Sequence, residues 1–411
     1  LTEEEVYNTL RKLNPRKAPG PDGIPNWILR DYAVFLAKPI TSILNYSYQN
    51  QEIPTAWKYA NVTPIPKQKP VTNVNKHLRP ISLTQTISKV AEEFVVVKYI
   101  GPAILKIMDA NQFGAIPGSS TVQALISMIH EWAKATDGTS AAVRVVLLDY
   151  TKAFDSIDHG TLFQKIRYLD IPYEIKCWVR AFLTDRYQRV KISNDCYSEW
   201  GHVPLGVPQG TKLGPWLFLL MINDLKVRDS PIWKFVDDIT ASETVPKGNA
   251  SHIQQDVQEI ETWSNSNKLE LNPVKCKELI IDFKKRKQQF GPILINKQPI
   301  EVVHHAKVLG LTVSDNLLWN NHVNETIKKV NKRFFFLIQL KRAKVPEKDL
   351  IQFYTTCIRP ILDYGAQVYH YALPQYLQES LERIQKRALS IIFPRVSYQD
   401  SLQLSCLSSL S

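Results

Sequence analysis

Two short segments constrain this chain more than any other feature, because each sets acidic residues at the end of a run that suits a β-strand. The first is Val143 to Leu148, rich in β-branched and apolar residues and followed at once by Asp149. Such a run fits a buried strand, and a strand ending in a carboxylate holds it rigidly at the rim of a core. The second is Lys234-Phe235-Val236-Asp237-Asp238-Ile239-Thr240, with two carboxylates between apolar pairs. Side chains alternate along a strand, so both acids cannot face one side of a straight one. A tight hairpin with the pair at its turn resolves the conflict, and Asp237 then points into a cleft beside Asp149. Taken singly, each segment also fits a blander reading, a helix cap for Asp149 and a surface turn for Asp237 and Asp238.

Aspartates on rigid elements, without a nearby cysteine or paired histidine, form a hard oxygen site. Such a site suits magnesium, which keeps waters and binds substrate phosphates. Two ions about 3.5–4 Å apart clamp the attacking and leaving oxygens of an in-line phosphoryl displacement.

Composition narrows the partners. The 411 residues carry 51 lysines and arginines against 39 acids, a formal net charge of +12, which points toward a polyanion. With 44% hydrophobic residues the chain is too apolar to be disordered. Its five cysteines are odd in number and form no CxxC pair, so neither a disulfide framework nor a cysteine zinc site is expected, which fits a reducing compartment. The longest apolar run, Leu213 to Ile222, is interrupted by Gly214 and Pro215 and is too short to span a bilayer. The chain starts at Leu1 without a methionine and reads as a piece of a longer polypeptide.

Periodicity and breakers predict a mixed chain. A helix capped by Thr2 and Glu5 opens it, followed by the turn-dense loop Lys17 to Pro25. Helices are expected over 26–50, 82–108, 120–135, 162–182, 212–225 and 251–265. Residues 59–66 read as an extended edge segment and 67–79 as a basic loop. Strands are expected at 143–148, 189–192 with 199–203, 232–236, 239–242, 278–283, 293–295 and 307–313. Beyond residue 315 the pattern becomes long amphipathic helices at 320–342, 346–361 and 375–392. Gly206 to Gly214, with three glycines and Pro208, must be an irregular loop entering a helix.

These residues, in this order, resemble the reverse transcriptases of non-LTR (LINE-like, jockey-like) retrotransposons. Lys17-Ala-Pro-Gly-Pro-Asp-Gly matches the family's amino-terminal motif and Leu78-Arg-Pro-Ile-Ser-Leu83 its fingers motif. The Asp149 segment, Gly206-Val-Pro-Gln-Gly-Thr-Lys-Leu-Gly-Pro215 and Phe235-Val-Asp-Asp238 match three palm motifs. Lys268-Leu-Glu-Leu-Asn-Pro-Val-Lys-Cys276 resembles the fourth, and Lys307-Val-Leu-Gly-Leu311 the primer-grip hairpin. Val236 departs from the alanine more usual in the third motif.

The resemblance implies an α+β right-hand polymerase with fingers, an antiparallel palm sheet and an all-α C-terminal thumb. Its boundaries would be 1–140 for the N-terminal extension and fingers, 141–315 for the palm with part of the fingers and palm helices and the primer-grip hairpin, and 316–411 for a helical thumb-like domain. It implies an RNA-directed DNA polymerase that uses Mg²⁺, with Mn²⁺ able to substitute. Asp149 and Asp237 would ligate the metals, Asp238 would support the second site, and Lys275 would protonate the leaving pyrophosphate. Lys67, Arg79, Tyr150, Phe154, Gln209 and Gly210 would line the nucleotide, with Phe154 a steric gate against a 2′-hydroxyl and Asp155 a brace for the loop. Gly310 would let a strand terminus pass.

Lys328, Lys332 and Arg333 would follow the primer–template backbone, on a face opposite Phe335, Leu337 and Ile338. From Leu271 onward 21 basic residues stand against 11 acidic ones, so most of the excess charge lies there. The expected partners are an RNA template, a DNA primer and dNTPs, with the element's own RNA in a ribonucleoprotein and no membrane. The expected location is intracellular, in the nucleus and in cytoplasmic ribonucleoprotein. Two other readings are a catalytically inactive nucleic-acid-binding module and an RNA-dependent RNA polymerase, the second opposed by Phe154.

Overall fold

The computed structural model describes residues 1–193 and 195–410. In chain order the strands are β1 (Tyr59–Pro66), β2 (Leu78–Leu83), β3 (Ala142–Leu148), β4 (Arg186–Val190), β5 (Gly201–Val203), β6 (Ile232–Phe235) and β7 (Asp238–Val245). They continue as β8 (Lys277–Ile281), β9 (Leu294–Ile295), β10 (Gln298–Pro299), β11 (Glu301–Val303), β12 (His305–Val308) and β13 (Leu311–Ser314). The chain forms two compact units, each assembled from three stretches. The first holds Leu1–Ala115, Tyr150–Lys226 and Glu259–Asn272; the second holds Ile116–Asp149, Val227–Gln258 and the chain from Pro273.

In the first unit the sheet order is β2-β1-β4-β5. Here the sequence reading is corrected at three points. Residues 59–66 are interior to the sheet, not an edge: β1 pairs antiparallel with β2 and parallel with β4. Its prolines, Pro64 and Pro66, lie beyond the last pair with β4, Val62–Val190, where β1 has a neighbour on one side only. Leu78–Leu83, divided in the sequence reading between loop and helix, is the strand that completes this hairpin. The expected helix over 26–50 is two, Asn26–Asp31 and Ala33–Asn50. The capping box of Thr2 and Glu5 is formed as expected. The apolar run Leu213–Ile222 is a helix buried all round. Its first N–H groups, of Lys212 and Leu213, donate to Glu92 Oε2 at 2.7 and 3.1 Å. Burial pushes the Glu92 carboxyl above its ordinary range, against these hydrogen bonds and the charge of Arg186.

In the second unit a five-stranded sheet runs in the order β11-β8-β3-β7-β6. β3 is central and antiparallel to both β7 and β8. The helix Thr121–Thr136 packs on it through Trp132 and Trp233, whose ring centroids are 6.3 Å apart. Arg144, in the middle of the β-branched run, is buried, and its Nε donates to Glu278 Oε1 at 2.7 Å. Its other nitrogens donate to Ser251 Oγ and Gly291 O, both at 3.0 Å. β12 and β13 form the hairpin expected near 307–313.

The helix Asn320–Arg342 buries His322, Val323, Thr326, Val330, Phe334 and Leu337. Phe335 was expected on this apolar face, but it is 60% exposed, because its position falls on the opposite side of the helix. The expected helix at 346–361 is interrupted by a π-turn at Tyr354–Ile358. Among the described residues no helix is long and apolar enough to cross a membrane.

Two measurements check these cores. Arg144→Met leaves Glu278 buried without its cation and is expected to cost about 3–5 kcal/mol, whereas Arg144→Met with Glu278→Leu recovers most of that loss. Denaturant unfolding of the single and double variants reads this directly. His322 is held down to about 4, first by burial and then by Lys329. Its folded value lies below its ordinary one, so the unfolded chain binds the extra proton. Stability is therefore full above about pH 6.5 and is lost toward pH 4, on the order of 3 kcal/mol. Between pH 7.5 and 4.5 the wild type should lose more stability than His322→Gln by that amount, the groups common to both cancelling in the difference.

Candidate active site

In the second unit, Leu148 pairs with Ile239, so Asp149 and Asp238 are the next residues outward on adjacent strands. β6 and β7 close as a hairpin, with Phe235 paired to Asp238 and only Val236 and Asp237 between. The sequence reading placed both acids at the turn; Asp237 is in it, and Asp238 is the first residue of β7. Val236 has φ +60. A β-branched side chain in that left-handed region is strained, and glycine is the usual occupant of such a turn position. Asp238 keeps access to solvent, yet its pKa is pushed up to about 6 by the surrounding protein, then by the charges of Asp237 and Asp149. The three carboxyls therefore share one electrostatic environment.

Lys275 Nζ donates to Asp149 Oδ1 at 2.9 Å, so one ammonium lies directly on this acidic group. The neighbouring Lys277 is paired with Glu301 instead. Cys276, missed as a site residue, is also here: the Asp149 N–H donates to its Sγ at 3.4 Å. The expectation of no cysteine nearby is corrected by the fold, which lays the turn before β8 against the end of β3. Burial pushes the thiol above its ordinary range, so it stays protonated behind the Asp149 backbone. Among the described residues no three His, Cys, Asp or Glu side chains are grouped to hold a metal on their own. The donor chemistry still fits a hard dication that completes its shell with water and substrate phosphate, since crowded carboxylates with one raised pKa gain from added positive charge.

The first unit carries the residues read as nucleotide contacts. Tyr150 is corrected: it is 5% exposed, its hydroxyl is 2.9 Å from Ser264 Oγ, and its ring belongs to the core. Phe154 is half-buried and stacks on the buried Phe218 with centroids 4.6 Å apart, which fixes the ring in place. Gln209 donates from Nε2 to Asp155 Oδ1 at 3.0 Å, and its carbonyl accepts from Ser82 N at 2.8 Å. Asp155 is therefore the brace that the sequence suggested. Gly210 has φ +111, and a Cβ there would stand 2.9 Å from Ser82 O, so glycine alone fits. Lys67 and Arg79 are exposed where the connecting loop joins β1 and β2, and the charge of Lys67 reaches Asp155.

Back in the second unit, Gly310 has φ +94 at the β12–β13 turn, and a Cβ there would meet the Tyr364 ring at 2.9 Å. The packing is reciprocal, because a Cβ on Gly365 would meet Leu311 at 2.9 Å. Tyr364 also donates its hydroxyl to Leu309 O at 2.6 Å. A tyrosine thus occupies the space that the sequence reading kept for a passing strand terminus. Lys328, Lys332 and Arg333 are exposed on the helix Asn320–Arg342.

A carboxylate-bearing strand and hairpin, paired antiparallel within a sheet whose edge strand β11 runs parallel to β8 rather than wholly antiparallel as expected, define beside an ammonium a site suited to phosphoryl transfer. The profile described as reverse transcriptase (RNA-dependent DNA polymerase) matches residues 65–313. The chain therefore belongs to the reverse transcriptase family, which generally uses divalent metal ions. A shorter match, to the N-terminal region of alkylated DNA repair protein alkB homolog 8, covers residues 319–359. Among curated proteins the chain is 28% identical to the RNA-directed DNA polymerase from mobile element jockey of Drosophila melanogaster, over 92% of this chain and 42% of that one. It is 26% identical to the probable RNA-directed DNA polymerases from transposon X-element and transposon BS of the same fly, over 94% and 95% of this chain. The chain spans 42–44% of the length of these three relatives.

The strained turn gives a direct check. Val236→Gly removes the left-handed penalty and is expected to raise the unfolding free energy by about 1 kcal/mol, read by denaturant unfolding. A loss of stability would show that packing of the valine outweighs its backbone strain.

Proposed function

We propose that this chain is the polymerase region of a non-LTR retrotransposon reverse transcriptase, extending a DNA primer 3′-hydroxyl along an RNA template with dNTPs. The observation that carries this reading is the shared electrostatic environment of Asp149, Asp237 and Asp238 at one end of the β3–β7 ladder. In this reading residues 1–140 contain the fingers, 141–315 the palm and 316–411 a helical thumb. Asp149 and Asp237 hold Mg²⁺, with Mn²⁺ able to substitute, and Asp238 supports them. The bound ions supply charge stabilisation for the attacking and leaving oxygens.

The remaining roles belong to the chain's own groups. Lys275 neutralises Asp149 at rest and is positioned to give a proton to the departing pyrophosphate. Lys67 and Arg79 bind the triphosphate, and Gly210 lets the nucleotide approach the backbone. Gln209, fixed by Asp155, presents its side chain beside the nucleotide. Phe154, held by Phe218, excludes a 2′-hydroxyl. Tyr150 contributes through backbone, since its ring is in the core. Gly310 and its hairpin support the primer, and Lys328, Lys332 and Arg333 follow the duplex by phosphate neutralisation. The element's own RNA in a nuclear and cytoplasmic ribonucleoprotein is the setting this reading implies.

The test is primer extension on an RNA template with purified protein. Asp149→Asn and Asp237→Asn should reduce incorporation to background with either metal, while activity surviving both changes would defeat the mechanism. Phe154→Ala should admit ribonucleotides that the wild type rejects. A wild type that already uses NTPs and dNTPs equally well would remove the gate.

A further inference from the structure

The four-stranded sheet of the first unit has two unlike faces. On one, Ala60, Val62, Ser82 and Arg186 are each no more than 6% exposed, although Gln188 and Val190, on the same face of β4, stay exposed. The other carries rings. Tyr59 and Tyr187, paired across β1 and β4, stack with centroids 5.5 Å apart and planes 17° apart. His202 on β5 continues this row beside Tyr187 at 5.4 Å, and Trp200 closes on Tyr59 edge-on at 4.8 Å. Arg189, on the same face of β4, lies 4.0 Å from the Tyr197 ring and 4.5 Å from that of Trp200. Its Nε donates to Asn61 Oδ1 at 2.9 Å, which fixes the guanidinium in place. Lys191 stands 5.6 Å from Tyr197.

A cluster that only sealed this face would bury its rings. Instead Tyr187, Tyr197 and Trp200 remain 36–37% exposed, each with part of its ring open to a ligand. An open sheet face with a row of rings and fixed cations is the arrangement by which proteins hold unpaired bases, stacking them on aromatics and leaving phosphates to Arg and Lys. We infer that this face, from Tyr59 across Tyr187 to Trp200, binds unpaired RNA. The choice of RNA rests on the reading of the chain as an RNA-directed polymerase, which must hold an RNA whose bases are unpaired until they are copied. Asp195 and Glu199 on the loop that carries Tyr197 offset part of the positive charge. Stacking rather than phosphate neutralisation therefore supplies most of the affinity, and a duplex, whose bases are already stacked, gains little here.

The experiment is anisotropy of a 5′-labelled 12-nucleotide oligouridylate with the full chain, in EDTA and without primer or dNTPs. Its failure is thus separate from a failure of primer extension. Removing one ring should weaken binding about five-fold or more, and Tyr187→Ala with Trp200→Ala more than either alone. Trp200→Phe, which keeps a ring, should retain most of the affinity, and Tyr187→Leu preserves bulk without a stacking face should the alanine variant fold poorly. The affinity for a blunt duplex should not change. Unchanged oligouridylate binding in the folded variants, an equal loss for duplex, or a loss confined to single-stranded DNA would overturn the proposal.

Discussion

The ladder between β3 and β7 is the interaction on which the candidate site depends. Seven backbone pairs, from Ala142–Val245 to Leu148–Ile239, fix the two strands in one register. Asp149 and Asp238 are consequences of that register, because each is the residue that follows the last pair. A slip of one residue would turn every side chain of β3 to the other face and separate the acids. The central position of β3, with β8 on its other edge, makes such a slip costly. The buried Arg144–Glu278 pair adds a further restraint, since a shifted strand would carry a charge away from its partner.

Much of this was legible in the sequence because it rests on short-range chemistry. The β-branched run before Asp149 gave the strand, and two acids between apolar pairs required a turn. Thr2 and Glu5 have capping-box spacing and form the box. What the residues did not declare depends on long-range pairing. β2 carries Pro80 and reads poorly as a strand, yet β1 recruits it. β1 itself carries two prolines and is nonetheless interior, because they fall outside its second ladder. Arg144 breaks an apolar pattern, and its partner is 134 residues away in sequence.

The site residues divide in the same way. The acids at strand ends were legible because the apolar runs beside them mark where the strands stop, although each segment taken singly also fitted a cap or a surface turn. Tyr150 follows Asp149 and was read as facing a nucleotide, but alternation turns its ring inward toward Ser264. Cys276 gave no signal of its own, because its role comes from where β8 begins relative to the end of β3. Glu92 was equally silent, being one acid of a Glu-Glu pair in a helix, although it caps the helix that the glycine-rich loop enters.

The reciprocal packing of Gly310 beneath Tyr364 and Gly365 beneath Leu311 has a mechanical meaning. Two glycines, 55 residues apart, each receive a side chain from the other's neighbourhood, and the Tyr364 hydroxyl closes the clasp on Leu309. The β12–β13 turn therefore cannot bend independently of the helical segment that ends at Asp363. Within this unit a displacement of the hairpin tip has to carry Tyr364 with it, and a displacement of Tyr364 has to carry the tip.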